Sequence, residues 1–131
     1  MRAAIVLDES MGPGLLANAT ACITTGLFNG RSEALGPGIE GDDCTFIPIT
    51  KIPILVLKRG QRDFLSLLER AKANGLTYML FTKEGQSTTS YEQYIDRVRG
   101  KRADDVTIVG IGAIGDSDAV TKFAGDLPLL R

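Results

Sequence analysis

Apolar runs and amphipathic stretches alternate along the chain, and each block predicts one strand or one helix. Short continuous apolar runs, typical of buried strands, lie at Arg2–Leu7, 54–57, 77–81 and 105–111. Apolar residues at helical spacing predict helices over 15–27, 61–74, 91–98 and 116–125. The alternation predicts an α/β domain, a three-layer α-β-α sandwich built on a small four-stranded mixed sheet.

The last apolar run leads into Gly110, Gly112 and Gly115, which have the GxGxxG spacing of a dinucleotide-binding turn. That fold needs a further strand with an acidic residue about 20 positions on, and only sixteen residues follow Gly115. We therefore expect no nucleotide cofactor. Gly110 and Gly112 are expected to allow close packing of a helix on the sheet, and Gly115 to turn the chain.

Composition favours one soluble domain spanning residues 1–131. The chain is 44% hydrophobic with a formal net charge of -1, so nothing attracts it as a whole to nucleic acid. RNA binding would depend on the basic residues at 97–102, for which a solvated loop is the favoured interpretation. No apolar run is long enough to span a membrane, and two cysteines, Cys22 and Cys44, are predicted to be free thiols in a reducing cytoplasm.

The absence of histidine removes several classes of active site. A Ser-His-Asp or Cys-His nucleophile and a histidine general base are excluded, and so are zinc sites that need histidine or four cysteines. We expect no metal. Any acid-base chemistry must use carboxylates, lysine, tyrosine or thiol.

Two distant segments resemble one family. Residues 11–17, Met-Gly-Pro-Gly-Leu-Leu-Ala, are similar to the MGxGKxAAQxxHA pattern that opens the first helix of type II peptidyl-tRNA hydrolases. The closing segment, from Ile111-Gly112 to Leu129-Leu130, resembles that family's last strand, helix and GxLxLL end. The resemblance covers nearly the whole chain and is nearest to an uncharacterised bacterial family of the same fold superfamily. It implies a type II peptidyl-tRNA hydrolase fold for residues 1–131.

The family's functional positions differ in this chain. Leu15, Ala19 and Cys22 stand where the family pattern has lysine, glutamine and histidine. Lys83 and Ser87 stand where its DAGxT motif has aspartate and threonine. A fold retained without its catalytic residues predicts a domain that binds a small ligand or a partner.

Candidate residues cluster after the first and third predicted strands, where ligands of α/β sheets usually bind. The residues expected to bind a ligand are Glu9, Leu15, Cys22, Thr82, Gln86, Ser87, Thr88 and Tyr91. An alternative hypothesis is hydrolysis of peptidyl-tRNA or a related acyl ester, with Asp8 or Glu84 as base and Lys83 stabilising negative charge. A third is homodimerisation through an edge strand or an apolar helix surface.

Simpler interpretations accompany these candidates. Asp8 and Glu9 are favoured as turn-forming residues. Residues 82–91 are equally well explained as a polar surface turn. Cys22 is expected to be a small residue packed inside the first helix, away from the helix end that would lower its pKa.

Overall fold

A computed structural model describes residues 1–131 and shows a mixed α/β domain with five α-helices around a four-stranded sheet. A two-stranded hairpin, β2 and β3, stands apart from that sheet. In chain order the elements are β1 (Arg2–Leu7), α1 (Pro13–Phe28), β2 (Ile39–Glu40), β3 (Thr45–Phe46), β4 (Ile54–Lys58), α2 (Phe64–Ala73), β5 (Thr77–Thr82), α3 (Lys83–Gln86), α4 (Tyr91–Val98), β6 (Ile108–Gly115) and α5 (Ser117–Ala124). Two 3-10 turns occur at Ser32–Ala34 and Ala103–Asp105.

The sheet has the order β4-β1-β6-β5, with β1 parallel to β4 and β6 antiparallel to both of its neighbours. Ile5 is opposite Val56 on one side and Gly112 on the other, which fixes the register of β4, β1 and β6. Because β1, β4 and β5 run in the same direction, their carboxyl ends lie at one end of the sheet. That end receives the loops that follow each of these strands.

Helices cover both faces of the sheet, as the sequence predicts. Successive residues of β1 point to opposite faces, so Ile5 and Leu7 belong to one core and Ala4 and Val6 to the other. Helix α1 packs over β1, β6 and β5 on the first face, while α2 and α5 cover the second. Full burial of all residues from Ala3 to Leu7 explains why β1 is a continuous apolar run.

The glycine triplet lies inside β6, not after it. The prediction of a strand over 105–111 was therefore wrong at both ends, because β6 runs from Ile108 to Gly115. Gly110 and Gly112 face α1, and a Cβ on Gly110 would come to 2.9 Å from Ile23 Cδ1 and 3.0 Å from Leu7 Cδ2. Close helix-sheet packing at these two glycines is thus what the structure shows. Gly115 is the last residue of the strand, followed by the cap of α5 at Asp116.

The two edges of the sheet differ. The C-terminal segment pairs with the outer edge of β4: Lys58 N–H donates to Pro128 O (3.0 Å) and Leu130 N–H donates to Val56 O (2.9 Å). Strand β5 forms the other edge and has no strand on its outer side. An unpaired edge is a surface on which another chain can pair.

Three other segments differ less from their predicted boundaries. Helix α2 begins at Phe64, three residues later than predicted, because the Asp63 carboxylate caps it by accepting from Leu65 N–H (3.3 Å). The polar turn predicted after β5 contains the short helix α3, and the predicted loop at 31–43 contains a 3-10 turn and β2. No helix combines the length and the apolar character needed to cross a membrane.

Candidate functional site

A groove of about 740 Å³ opens between α1, β5 and the chain from α3 to α4. It lies on the α1 face of the sheet, toward the β5 edge. Its lining residues are Ala21, Cys22, Ile23, Thr25, Gly26, Met79, Leu80, Phe81, Gly85, Thr88, Thr89, Ser90, Tyr91 and Tyr94. Its volume is within the range of about 300–1,000 Å³ typical of small-molecule sites.

Two walls of the groove follow from the periodicity of their elements. Met79 and Phe81 alternate with residues of the opposite face, so both point toward α1, where they pack against the α1-side core. Gly26 on α1 allows Met79 to pack this closely, since a Cβ on Gly26 would come to 3.2 Å from Met79 Cγ. Ala21, Cys22 and Thr25 complete the α1 wall from its outer half.

The third wall is held by two helix caps. Thr82 Oγ1 accepts from Gly85 N–H (3.0 Å) and starts α3, and Ser90 Oγ accepts from Gln93 N–H (3.2 Å) and starts α4. The Tyr94 ring packs onto Gly85 so closely that a Cβ on Gly85 would come to 2.8 Å from it. Tyr94 also meets the Tyr91 ring edge-on at 5.8 Å between centroids. Two aromatic rings therefore stand at the mouth of the groove.

No lining residue of the groove carries a charge. The polar atoms are hydroxyl groups, and several already donate within the chain: Thr25 to Ala21 O (2.8 Å), and Thr88 to Gly85 O (2.7 Å). The hydroxyl hydrogens of Ser90, Tyr91 and Tyr94 have no acceptor in the chain. These three hydroxyl groups, with the weaker Cys22 thiol, are the side-chain donors available to a bound molecule.

Three of the residues expected to bind a ligand line the groove: Cys22, Thr88 and Tyr91. For Cys22 the interpretation as a packed interior residue was wrong, since its side chain is exposed. The three helix positions compared above with the family pattern, Leu15, Ala19 and Cys22, do not share one environment, because Ala19 is fully buried in the core while Leu15 is 49% exposed. Helix α1 carries apolar residues on all sides, so its periodicity could not separate these faces.

The remaining predicted ligand residues serve contacts within the chain. Gln86 Nε2 donates to Leu15 O (3.1 Å) and so ties α3 to the first turn of α1. Ser87 Oγ accepts from Arg97 (3.0 Å). Thr82 is buried and caps α3. None of these three residues lines the groove; Thr82 and Gln86 hold in place α3, which borders it.

Asp8 and Glu9 form the turn that follows β1. Asp8 Oδ1 accepts from Ser10 N–H (3.0 Å) and Ser10 Oγ (2.7 Å), and Glu9 accepts from Gly60 N–H (2.9 Å). Partial burial raises the pKa of Asp8, but the Ser10 hydrogen bonds and the Arg59 charge outweigh it and lower the pKa overall. The carboxylate is thus held ionised in a turn and is a weaker base than a free one.

Lys83 and Glu84 lie at the start of α3. The Glu84 carboxylate accepts from Thr107 N–H with both oxygens (3.0 and 3.1 Å). Slight burial raises its pKa, but backbone hydrogen bonds, including that from Thr107, and the nearby Lys83 lower it overall. Lys83 is exposed. Neither residue lines the groove, so the geometry does not bring the proposed base and charge stabiliser together there.

The basic residues at 97–102 do not form one patch. Arg97 donates to Glu84 O (3.1 Å), and Arg102 pairs with Asp104 (3.3 Å). Lys101 and Arg102 line a smaller cleft of about 330 Å³ on the other face of β5, together with Lys72. Phosphate contacts by this region stay a prediction.

Among the lining residues that were not predicted site residues are Met79 and Phe81 of β5, and Tyr94 of α4. Two signals were available: Met79 and Phe81 are two residues apart in a strand, and Tyr91 and Tyr94 are three apart in a helix. Each pair therefore shares one face of its element. The sequence does not reveal that the β5 face and the α4 face border one groove together with the exposed half of α1.

Comparison with known proteins adds fold and family. A family model described as "Protein of unknown function (DUF2000)" matches residues 1–131. A protein of unknown function from Agrobacterium tumefaciens strain C58 has a similar structure, with a TM-score of 0.86 and 20% sequence identity over 98% of this chain and 96% of that one. At this identity the likeness shows the fold alone. Among curated proteins no sequence matches this chain.

Proposed function

The chain belongs to the DUF2000 family of proteins of unknown function, and we propose that it is a binding domain whose groove between α1, β5 and α4 holds an uncharged small molecule. The observation that carries the proposal is the lining, which combines apolar side chains, two tyrosine rings and hydroxyl groups without a single charge. A charged ligand would lose its hydration there without gaining a partner. A neutral ligand with an aromatic or aliphatic body gains by burial.

The groove also specifies where polar atoms of the ligand belong. The free donors, the hydroxyl groups of Ser90, Tyr91 and Tyr94, lie on the α4 side, while Met79 and Phe81 form the floor. We therefore expect a ligand with hydrogen-bond acceptors along one edge and an apolar opposite edge. A planar ring could stack on Tyr91, whose side chain is exposed at the mouth.

The test uses a defined set of probes: indole, coumarin and benzamide, with indole-3-acetate and benzamidine as charged counterparts. Saturation-transfer NMR and amide shift mapping on the full chain are expected to show the neutral probes bound at the groove and the charged ones bound at least tenfold more weakly. Thr25→Arg, which places a charge in the groove from an exposed helix position, should weaken the neutral probes about tenfold or more. Leu65→Arg, on the other face of the sheet, is the matched control.

Two results would contradict the proposal. One is the absence of shifts in groove residues at millimolar concentrations of every neutral probe. The other is equal probe affinity in Thr25→Arg and Leu65→Arg.

The type II peptidyl-tRNA hydrolase fold that the sequence resemblance implies belongs to the binding proposal as well as to its alternative. The alternative is hydrolysis of peptidyl-tRNA or a related acyl ester. It needs Asp8 or Glu84 as base, yet both carboxylates have lowered pKa values and accept hydrogen bonds within the chain. Turnover of peptidyl-tRNA, lost in Glu84→Gln or Asp8→Asn, would establish it. No release of peptide at enzyme excess would remove it.

A cytoplasmic location is part of the same proposal. Both cysteines are exposed free thiols, a state that persists in a reducing compartment. Fractionation of the producing cells, with the protein found outside the soluble cytoplasmic fraction, would contradict it.

A further inference from the structure

Exposed apolar side chains are concentrated in one segment of the chain, residues 35–49, which we call the arm. Five of the ten large hydrophobic residues that are exposed belong to it. Ile47 and Ile49 are 78% and 74% exposed, and Phe46 is 55% exposed. Single exposed apolar residues are ordinary, but a concentration of this kind marks an interaction surface.

The arm is an ordered hairpin that lies outside both hydrophobic cores. Ile39 pairs with Phe46, Leu35 with Thr50, and Gly36 N–H donates to Ile49 O (3.3 Å). Its base is fixed to the domain at Ala34, which is buried in the α1-side core. No side chain between 35 and 49 packs into either core. The arm is therefore held in place with its apolar residues turned outward.

Helix α1, on the same face of the sheet, is uncharged along all 16 of its residues. Its outward side carries Gly14, Ala17, Asn18, Ala21 and Thr25, all exposed. In a chain with 31 charged residues among 131, an exposed helix without any is unusual. Depletion of charge is the compositional signal of the centre of a protein interface.

The arm, α1 and the groove lie on the same face of the sheet, and neither α1 nor the groove lining carries a charge. The groove lies toward the β5 edge, whereas the arm begins at Ala34 in the α1-side core and leads into β4 at the opposite edge. The charged residues of the arm, among them Glu40, Asp42 and Asp43, are near the hairpin tip. Acidic groups at the margin of an apolar surface match the polar rim of an interface.

We infer that two copies of this chain pair through this surface, about a two-fold axis at α1, with the arm of each copy lying across the groove of the other. In such an arrangement the apolar arm and the apolar groove, which flank α1 on opposite sides, meet reciprocally. The arm of the second copy, chiefly Ile47 and Ile49, covers a groove that is open in the single chain. The role of the arm as a wall of the ligand site rests on the proposed function; the pairing itself does not.

Helix α1, with 16 residues, is about 24 Å long and about 10 Å wide, so by itself it presents on the order of 250 Å². A standard interface buries about 800 Å² per partner, so a stable dimer must use the arm and the groove as well. A second copy is favoured over a foreign protein because the chain itself supplies both an unfilled apolar groove and an exposed apolar arm.

The experiment is light scattering coupled to size exclusion, with sedimentation velocity, on the full chain from 1 to 200 μM. The wild type is expected to be a dimer. Ile47→Asp combined with Ile49→Asp, and separately Asn18→Arg on the outer side of α1, should raise the dimer dissociation constant on the order of 100-fold. Leu65→Asp, at an exposed apolar position on the opposite face of the sheet, should leave it unchanged. Circular dichroism melts at low concentration check that each variant is folded.

A second readout uses the exposed thiol of Cys22. Its rate of reaction with N-ethylmaleimide should fall as the wild-type concentration rises, and it should not change with concentration in Asn18→Arg. A wild type that is monomeric at 200 μM would overturn the inference, and so would a dimer that the arm substitutions leave intact. A dimer that binds no neutral probe contradicts only the ligand proposal, whereas a monomer that binds the probes at the groove contradicts only this inference.

Discussion

Gly112 of β6 lies directly beneath Ile23 of α1, and a Cβ on this glycine would overlap the Ile23 Cγ2 methyl group and come to 2.8 Å from Leu27 Cδ1. Ile23 and Leu27 are among the buried residues of the α1-side core. The helix therefore sits closer to this strand than any residue with a side chain would allow. The glycine spacing that resembles a nucleotide-binding turn has a packing cause.

Gly112→Ala should lower the free energy of unfolding by about 1–3 kcal/mol, because the added methyl group forces Ile23 and α1 away from the sheet. Urea denaturation measures this loss. Gly38→Ala is the control, since a Cβ there meets nothing within 4 Å and its effect should be within about 0.5 kcal/mol. Ile23→Ala removes the overlapping methyl group, so the double variant should be less destabilised than the sum of the two single variants. Strict additivity would contradict the contact.

This packing also explains which parts of the fold the sequence could reveal. Strand β1 is predicted at both ends because every residue from Ala3 to Leu7 is buried and a charged residue follows. Strand β6 is displaced in the prediction because glycine contributes nothing to an apolar run. These glycines lie in the strand because Ile23, nearly ninety residues earlier in the chain, packs against them. A contact across such a distance leaves no local pattern.

The groove was only partly predictable for a similar reason. Thr88 and Tyr91 were found because polar and aromatic residues crowd into one turn after β5, the usual place for a site in an α/β sheet. The exposed side of α1 could not be identified from the sequence, because a helix without charged residues shows no polar face. Cys22 was among the predicted ligand residues, but the favoured interpretation made it a packed residue away from the positive helix end. It is exposed and lines the groove.

Asp126, just after α5, binds two arginines: Arg62 in the segment before α2, at 2.6 Å, and Arg70 within α2, at 3.0 Å. The Arg70 hydrogen bond, with that from Arg62, lowers the pKa of Asp126 despite a slight opposing effect of burial. Because the pKa of Asp126 in the folded protein is below its ordinary value of 3.8, the interaction of Asp126 with the two arginines stabilises the fold at pH values above about 4. That contribution is lost as the pH falls through the folded pKa.

Asp126→Asn should therefore cost about 1 kcal/mol or less at pH 7, since the carboxylate is 41% exposed and water screens it. The difference from wild type should shrink between pH 6 and pH 3. Chemical denaturation at both pH values measures it. Glu69→Gln is the control. The Glu69 carboxylate is as far as 3.9 Å from Lys72 and is largely exposed, so its loss should change stability little at either pH. A difference for Asp126→Asn that grows toward pH 3 would contradict the ion-pair explanation.

Thr82 connects the sheet to the groove wall through its bond to Gly85 N–H. Thr82→Val keeps the shape of a buried side chain but leaves that donor without an acceptor, at a cost of about 1 kcal/mol. The Gly85 amide should then exchange with solvent about fivefold faster, as measured by NMR, with Tyr94 shifted. Thr82→Ser should retain the cap. If Ser90→Ala, which removes the cap of α4 instead, has the same effect on Gly85, the local role assigned to Thr82 is wrong.

The C-terminal residues close the β4 edge of the sheet, where Leu129 pairs with Leu57 and Leu130 packs into the α1-side core. Deleting residues 128–131 removes two backbone hydrogen bonds and the Leu130 side chain, which together stabilise the fold by about 2–4 kcal/mol. It also leaves β4 with an unpaired edge, like β5 on the other side.

The truncated chain should therefore unfold at lower urea concentration, as measured by the fluorescence of its tyrosines. It should also aggregate at concentrations where the full chain stays in solution, as measured by light scattering. Removal of Arg131 alone should do neither, because that residue is exposed and has no partner in the sheet. A truncated chain as stable as the full one would show that the β4 edge does not need its cover.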